Sequence, residues 1–458
     1  MVACSSSIDA ANVGSASPEA EEEESDAGDL DVDAESTSSA KDAGAKKDAS
    51  SNDAAKDAAN DAGSKQDGAS GTDASGTDAT VPLVCLASSP TVTCGATFSA
   101  TSTATSGIAL TDMGPALRVA VDPSGQLHAA WSTPTQGIRY AASKTSAFAV
   151  ETIALPSGLA SEVFLFPRVV VDDCGRPFVA YLHRHLPAGT DVTESHVYLA
   201  TKSAGGWSTE EVVVPTSASS ATPATDIHTV DLTLDGAGKP VLALGRWSTK
   251  SAYVARPSGG GAYSVEEVPN AVSSQLAGLP AVTFSSTLGI VLGVDVAAKP
   301  TLMWKSGSTW NASTVVTTQP MDTGRMLAIA SDAQGAVHVA WRQSLPPTSN
   351  TQQKLSFLYA ASNTSGALSA PEVVQTASGP SVPYSQSLSI DVGPTQVPVL
   401  GIDGFPVRRK GAQQFAKTAV VTGMSNYRSV GMALDTSGRA RSLAFGYSAG
   451  ALVTESCP

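Results

Sequence analysis

Apolar and polar residues alternate in short runs from Val119 to Tyr447, and the runs come in pairs joined by a tight polar turn. Seven pairs can be read, among them RVAVDPSGQLHAAW (118–131), RVVVDDCGRPFVAY (168–181) and LAIASDAQGAVHVAW (327–341). Alternation places successive side chains on opposite faces of a strand. Asp-x-x-Gly suits the hairpin between two strands, because the carboxylate caps the turn and glycine accepts φ > 0. The turn positions Asp122, Asp172, Asp235, Ser286, Asp332, Asp391 and Asp435 lie 44 to 63 residues apart, which leaves room for two further strands per copy.

Third strands are expected at 137–143, 195–202, 251–257, 300–306 and 354–362. Fourth strands follow as AFAVETIAL, GWSTEEVVV, AYSVEEVP, TWNASTVV and LSAPEVVQ, with Phe148, Trp207, Tyr263 and Trp310 near their starts. Repeats of ~40–50 residues holding four strands each predict an all-β, seven-bladed propeller. The sixth copy is less regular, and the seventh stops after a third strand at 451–457. A missing fourth strand would leave an open sheet edge. The stretch 81–106, rich in Val, Thr and Ser, is therefore expected to pair with the last blade and close the ring.

Composition divides the chain into an end (1–4), a tether (5–80) and a propeller (81–458) that opens on the closing segment 81–110. Residues 5–80 contain no aromatic residue and four branched aliphatics. Such a segment cannot bury enough apolar surface to order itself. It carries 19 of the 42 acidic and five of the 28 basic residues, hence the whole formal charge of −14; the rest of the chain holds 23 of each. The low pI thus belongs to the tether, and the propeller lacks the basic footprint of a nucleic-acid binder.

Met1-Val2-Ala3-Cys4, followed by three serines and the tether, resembles the cleavage end of a bacterial lipoprotein signal. The resemblance implies lipidation at Cys4, an upstream apolar stretch in the gene, and display on the cell envelope, at the outer membrane or surface. The remaining cysteines, Cys85, Cys94, Cys174 and Cys457, are an even set allowing three disulfide connectivities. Four buried thiols are the alternative. No CxxC pair points to a cysteine-held metal.

Residues ~110–458 resemble the sialidase-like, Asp-box (BNR-repeat) propellers. The family's box, Ser-x-Asp-x-Gly-x-Thr-Trp, is matched by Gly307-Ser308-Thr309-Trp310 without its Ser and Asp, and more faintly by SAGGW (203–207). The resemblance implies the propeller fold and export; it carries over no catalytic residues. Sialidase chemistry needs an arginine trio, a tyrosine nucleophile assisted by a glutamate, and an acid/base aspartate. Six of the nine glutamates after residue 80 (Glu151, Glu210, Glu211, Glu266, Glu267 and Glu372) fall in fourth strands. These are outermost, where solvating an exposed strand is their expected role.

Ligands of propellers usually sit on the face where the innermost strands begin. The charges left over after turn formation gather there. Asp112, Asp226 and Asp322 stand nine or ten residues before a turn Asp, and His228, Arg325 and Arg428 stand seven before. Arg118, Arg168 and Asp231 occupy equivalent inner-strand positions, either as a salt-bridged set or as an anion grip. A second cluster is His183, His185 and His196. His-x-His on a strand puts both rings on one face, and a hairpin return can bring the third opposite, a three-nitrogen metal geometry. His128, His338, Trp131 and Trp341 recur in equivalent phrases and are expected to pack between blades. The reading is a monomeric, non-catalytic propeller, without a required cofactor, that binds a glycan or protein ligand and meets the membrane only through its lipid. A hydrolase or lyase using the same face is the alternative.

Overall fold

The computed structural model describes residues 99–104, 117–133, 137–154, 163–185, 194–215, 224–246, 248–259, 262–271, 280–316, 327–345, 353–379, 388–394, 396–402, 405–417, 427–446 and 450–456. The chain separates into two compact units, 1–78 and 79–458, and all described residues belong to the second. The expected lipidation site and the tether therefore lie outside the described residues.

Among the described residues the strands form seven four-stranded antiparallel sheets, so the seven blades read from the alternation are present. The inner strands of blades one to seven are Leu117–Val121, Val163–Val171, Ile227–Leu234, Ala281–Ser285, Leu327–Ser331, Leu388–Val392 and Tyr427–Leu434. Each inner strand lies against the next, and that of blade seven lies against that of blade one. The expected closure is made by Ser99–Ala104. This strand takes the outermost place in blade seven, antiparallel to Gly450–Ser456, with Ser99 opposite Ser456 and Ala104 opposite Ala451. It covers the edge that the seventh copy would leave unpaired.

The apolar face of each strand packs against the neighbouring blade, giving one core cluster per seam. Leu117, Trp131 and Phe148 meet Leu443 and Leu452 where blade seven joins blade one, and Val291 and Leu302 meet Val339 and Trp341 between blades four and five. Trp131 and Trp341 are fully buried, as their repeated phrase implied. Small residues such as Ala129, Ala180, Ala243 and Ala340 let the sheets approach closely. One close approach at the closing seam is at Gly431, where an added Cβ would lie 2.9 Å from Val119 Cγ1 and 3.1 Å from Val119 N.

The turn aspartates cap as expected. Oδ1 of Asp235 accepts the backbone N–H groups of Ala237 and Lys239, each at 2.9 Å, and Asp172, Asp332 and Asp435 repeat the pattern. Asp122 accepts from Gln126 N–H in the same way. The glycine three residues later adopts φ between 72° and 88° in these five turns. Two assignments change. In blade four the capping oxygen is that of Ser285, which accepts from Thr287 and Leu288 N–H, rather than that of Ser286. In blade six Asp391 lies inside the inner strand opposite Val399, and the turn runs from Gly393 to Gln396, whose φ is 58°.

Candidate functional site

The connections from an outer strand to the next inner strand, and those from second to third strands, open on one face of the ring. Of the residues expected there, Asp112, Asp322 and Arg325 lie outside the described residues. Asp226 and His228 are placed, and Arg428 by its backbone alone, its side chain lying outside the described residues. His228 and Arg428 each fall at a register shift near the start of an inner strand, between Ile227 and Thr229 and between Tyr427 and Ser429. A bulge re-aims the side chain of the extra residue, and such bulges occur at barrel rims and beside active sites.

Around His228 the seam between blades two and three is polar. Arg184 donates to His228 Nδ1, and the Phe166 ring lies 6.5 Å from the imidazole, tilted by 55°. Phe166 has φ of 53°, a left-handed conformation that is costly for a bulky aromatic and forms part of the irregular pairing between Leu165 and Arg168. Asp226 is tied down. Its Oδ1 accepts from Arg246 Nε at 2.6 Å and its Oδ2 from Ser248 N–H at 2.9 Å. Burial alone would raise its pKa, but the bonds from Ser248 and Arg246 outweigh burial and hold the carboxyl below its ordinary value. Ser195 N–H donates to Thr225 O at 2.6 Å and stitches blade two to this segment.

The histidines align as the hairpin argument required, with His183 directly opposite His196 across the second and third strands of blade two. His183 is fully buried and meets Tyr198 edge-on at 6.2 Å. His196 Nδ1 lies 2.8 Å from Glu211 Oε1, and its Nε2 lies 3.8 Å from Glu194 Oε2. The side chain of His185 lies outside the described residues. Among the described residues no three metal-ligating side chains converge. Of the cysteines, Cys174 sits in the first turn of blade two, its N–H donating to Asp172 Oδ1 at 3.0 Å. Cys4, Cys85, Cys94 and Cys457 lie outside the described residues.

The inner strands carry charge along the axis. Arg168 Nε donates to Asp231 Oδ1 at 2.8 Å, and Asp231 Oδ2 accepts Val282 N–H at 2.9 Å, capping the inner edge of blade four. Arg118, on blade one, donates to Leu117 O at 2.9 Å. The like charge of Arg168, and then burial, push its pKa down to about 9. Asp391 caps the neighbouring blade as Asp231 does, accepting from Leu434 and Val392 N–H at 2.8 Å each. Burial raises its pKa against those two bonds.

The outer glutamates have a role that the sequence did not suggest. Instead of merely solvating an edge, four of them reach the next blade. Glu151 accepts from Lys202 Nζ at 2.5 Å and Trp207 Nε1 at 2.9 Å. Glu266 accepts from Lys305 Nζ at 2.6 Å and Trp310 Nε1 at 2.8 Å. Glu210 accepts from the Tyr263 hydroxyl, and Glu372 takes both Nε and Nη2 of Arg409. Trp207, Tyr263 and Trp310, which open three of the fourth strands, are thus donors to the preceding blade, whereas Phe148 packs in the core between blades seven and one.

Two further buried relays repeat. The ring nitrogens of His128 lie 2.5 Å from the Tyr140 hydroxyl and 3.3 Å from Asp122; those of His338 lie 2.7 Å from the Tyr359 hydroxyl and 3.2 Å from Asp332. Burial pushes both histidines below their ordinary pKa, against the pull of the aspartates.

No family description and no curated protein matches this chain. Distant likenesses exist among solved structures. An ulvan lyase of polysaccharide lyase family PL25 is 10% identical, the match covering 75% of this chain and 93% of that one, with a TM-score of 0.47. The lectin SapL1 in complex with α-methyl fucoside is 12% identical over 69% and 99%, at 0.42. The NanB sialidase of Streptococcus pneumoniae is 10% identical over 69% of each chain, at 0.43. Identities and scores this low say nothing of the site.

Proposed function

We propose that this protein is a non-catalytic binding propeller, held at the bacterial cell envelope by a lipid on Cys4 and a long acidic tether, which takes a glycan or protein ligand on the face where the inner strands begin. The observation that carries the reading is the paired bulge at that face. His228 and Arg428 stand at equivalent bulged positions at the mouth of the ring. Beside His228, Arg184 and the strained Phe166 add a charge and a ring. Ligand sites of this kind combine apolar surface with a few placed polar groups.

The non-catalytic part is supported by the carboxylates. Acid/base work needs a carboxyl poised near the operating pH and within reach of substrate. Asp226 is neutralised by Arg246, Asp231 by Arg168, and Glu151, Glu266 and Glu372 by Lys202, Lys305 and Arg409, which latch each blade to the next. Display rests on Cys4 and the tether, and export agrees with a disulfide at Cys174, whose turn lies at the end of the ring where Gly450–Ser456 finishes.

The test is a glycan and protein-ligand array probed with the full chain and with His228→Ala and Arg184→Ala. Binding lost in both variants at unchanged melting temperature supports the site. Binding that survives both overturns it, and turnover of a bound glycan overturns the non-catalytic part. Mass spectrometry of the native protein reads the anchor: a diacylated Cys4 is expected, and an unmodified Met1 refutes it.

A further inference from the structure

We propose that the axial channel contains an oxyanion site, made by Arg118 together with Arg168, that takes a carboxylate, sulfate or phosphate group. The inference stands apart from the mouth at blades two and three, because it rests on side chains of the inner strands alone.

Arg118 and Arg168 each stand four residues before their turn aspartate, opposite Ala130 and Ala180, on adjacent inner strands. The equivalent positions in the other blades are Asp231, Ala281, Ala328, Ser389 and Gly431. One level of the ring therefore holds two guanidinium groups and a single carboxylate. That carboxylate is committed: Oδ1 to Arg168 and Oδ2 to the Val282 N–H. Asp391 lies two residues further along its strand, its oxygens on the Val392 and Leu434 N–H groups, and burial favours its uncharged form.

Among the described residues Arg118 thus has a neighbour of like charge, and its one hydrogen bond goes to the Leu117 carbonyl. Its pKa is depressed chiefly by Arg168 and next by burial, with Asp231 pulling the other way, so a single carboxylate serves two cations. It remains charged at neutral pH. A planar guanidinium presents paired donors that match the oxygens of an oxyanion, and an anion between two guanidinium groups turns mutual repulsion into attraction.

The same chemistry can arrive as a free ion or as the acid group of a larger ligand. Thermal unfolding of the full chain separates these. Sulfate stabilises most folded proteins by exclusion from their surface, so the readout is the difference between wild type and Arg118→Gln at matched ionic strength in sodium chloride. Wild type should show a saturable rise with sulfate, absent from Arg118→Gln. Without sulfate the variant should melt no lower than wild type, because a repulsion has been removed. Arg118→Lys, which keeps the charge and loses the fork, should retain saturation with at least tenfold weaker affinity.

Acetate, glucuronate and glucose then identify the source. Equal responses to acetate and glucuronate mean a free-ion site; a tenfold preference for glucuronate over acetate, with none for glucose, means an acidic ligand. His228→Ala should leave every one of these responses intact. A sulfate response that is not saturable, that persists in Arg118→Gln, or that is accompanied by a lower melting temperature of that variant in chloride overturns the proposal, whatever the ligand array finds at the mouth.

Discussion

Replacing Glu372 by glutamine tests whether the outer carboxylates tie the blades together. In the structure Glu372 accepts from Arg409 Nη2 at 2.7 Å and Nε at 3.0 Å, and from Gln413 N–H at 3.2 Å. Arg409 in turn lies over the Tyr359 ring of blade five, 5.7 Å from its centroid. Glutamine offers one acceptor where the carboxylate offers two, and its amide group would point donors at the guanidinium. Hydrogen bonds to charged groups contribute about 1.5–3 kcal/mol each when well buried. The Glu372 side chain is 10% exposed but that of Arg409 is 30% exposed, which argues for the low end. The expected loss at pH 7 is about 2 kcal/mol for the pair. In a domain of this size that amounts to roughly 2–3 °C in melting temperature.

The pH dependence gives the sharper check. Arg409 holds the Glu372 carboxyl below its ordinary pKa. A depressed carboxyl contributes stability above its unfolded-state pKa, about 4.3, and loses that contribution as pH falls through the folded value. The gap between wild type and Glu372→Gln, read by urea unfolding followed through tryptophan fluorescence, should be full at pH 7 and close below about pH 4. A double-mutant cycle with Arg409→Gln should return a coupling of about 1–2 kcal/mol. A gap under about 0.5 kcal/mol at pH 7, within the range of ordinary surface substitutions, or a gap that persists at pH 3, would refute the latch.

Three other outcomes are expected. Asp235→Ala should lower stability by about 1 kcal/mol, as loss of a cap does, and leave binding on the array unchanged; weakened binding would mean that the turn face takes part. His128 and His338 have depressed pKa values, so the unfolded chain binds more protons and stability should fall as pH drops through about 6.5. The double variant His128→Gln/His338→Gln should flatten that slope in pH-dependent melting curves, and an unaltered slope would exclude the relays as its source. Deleting Ser99–Ala104 from the full chain should lower the melting temperature and promote aggregation in light scattering, since the edge at Gly450–Ser456 is then bare; an unchanged melting curve would show that the strand is dispensable.

Strand positions and blade number were legible because each depends on residues a few places apart: the alternation, and a carboxylate capping N–H groups two and four residues on; closure was legible from the fourth strand that the seventh copy lacks. The same locality misled at Asp391. An aspartate beside Gly393 looks like the turn of the repeat, yet the chain turns two residues later and the carboxylate caps blade seven instead. The latches escaped notice because Glu151 and Trp207, or Glu266 and Trp310, are separated by 56 and 44 residues and meet only once neighbouring sheets stack. A pattern was nonetheless present, since an aromatic residue followed three or four positions later by glutamate recurs in the fourth strands of blades one to three. At the mouth, His228 and Arg428 were picked out by their common distance from the turn. What that distance could not convey was the bulge, which depends on pairing with the second strand.

The closing strand also sets an order of events. Ser99 and Ser456 are partners although more than 350 residues separate them. Each of the first six blades consists of strands contiguous in sequence and can form by local pairing, whereas the seventh waits for both ends of the propeller. Because loop-closure entropy must be overcome before such distant contacts stabilise anything, the ring is expected to assemble as an open arc and shut last. Until residue 456 has emerged from the ribosome, the segment 99–104 lacks the partner it has in the closed ring. A factor that shields one short strand would then govern the yield of the whole molecule.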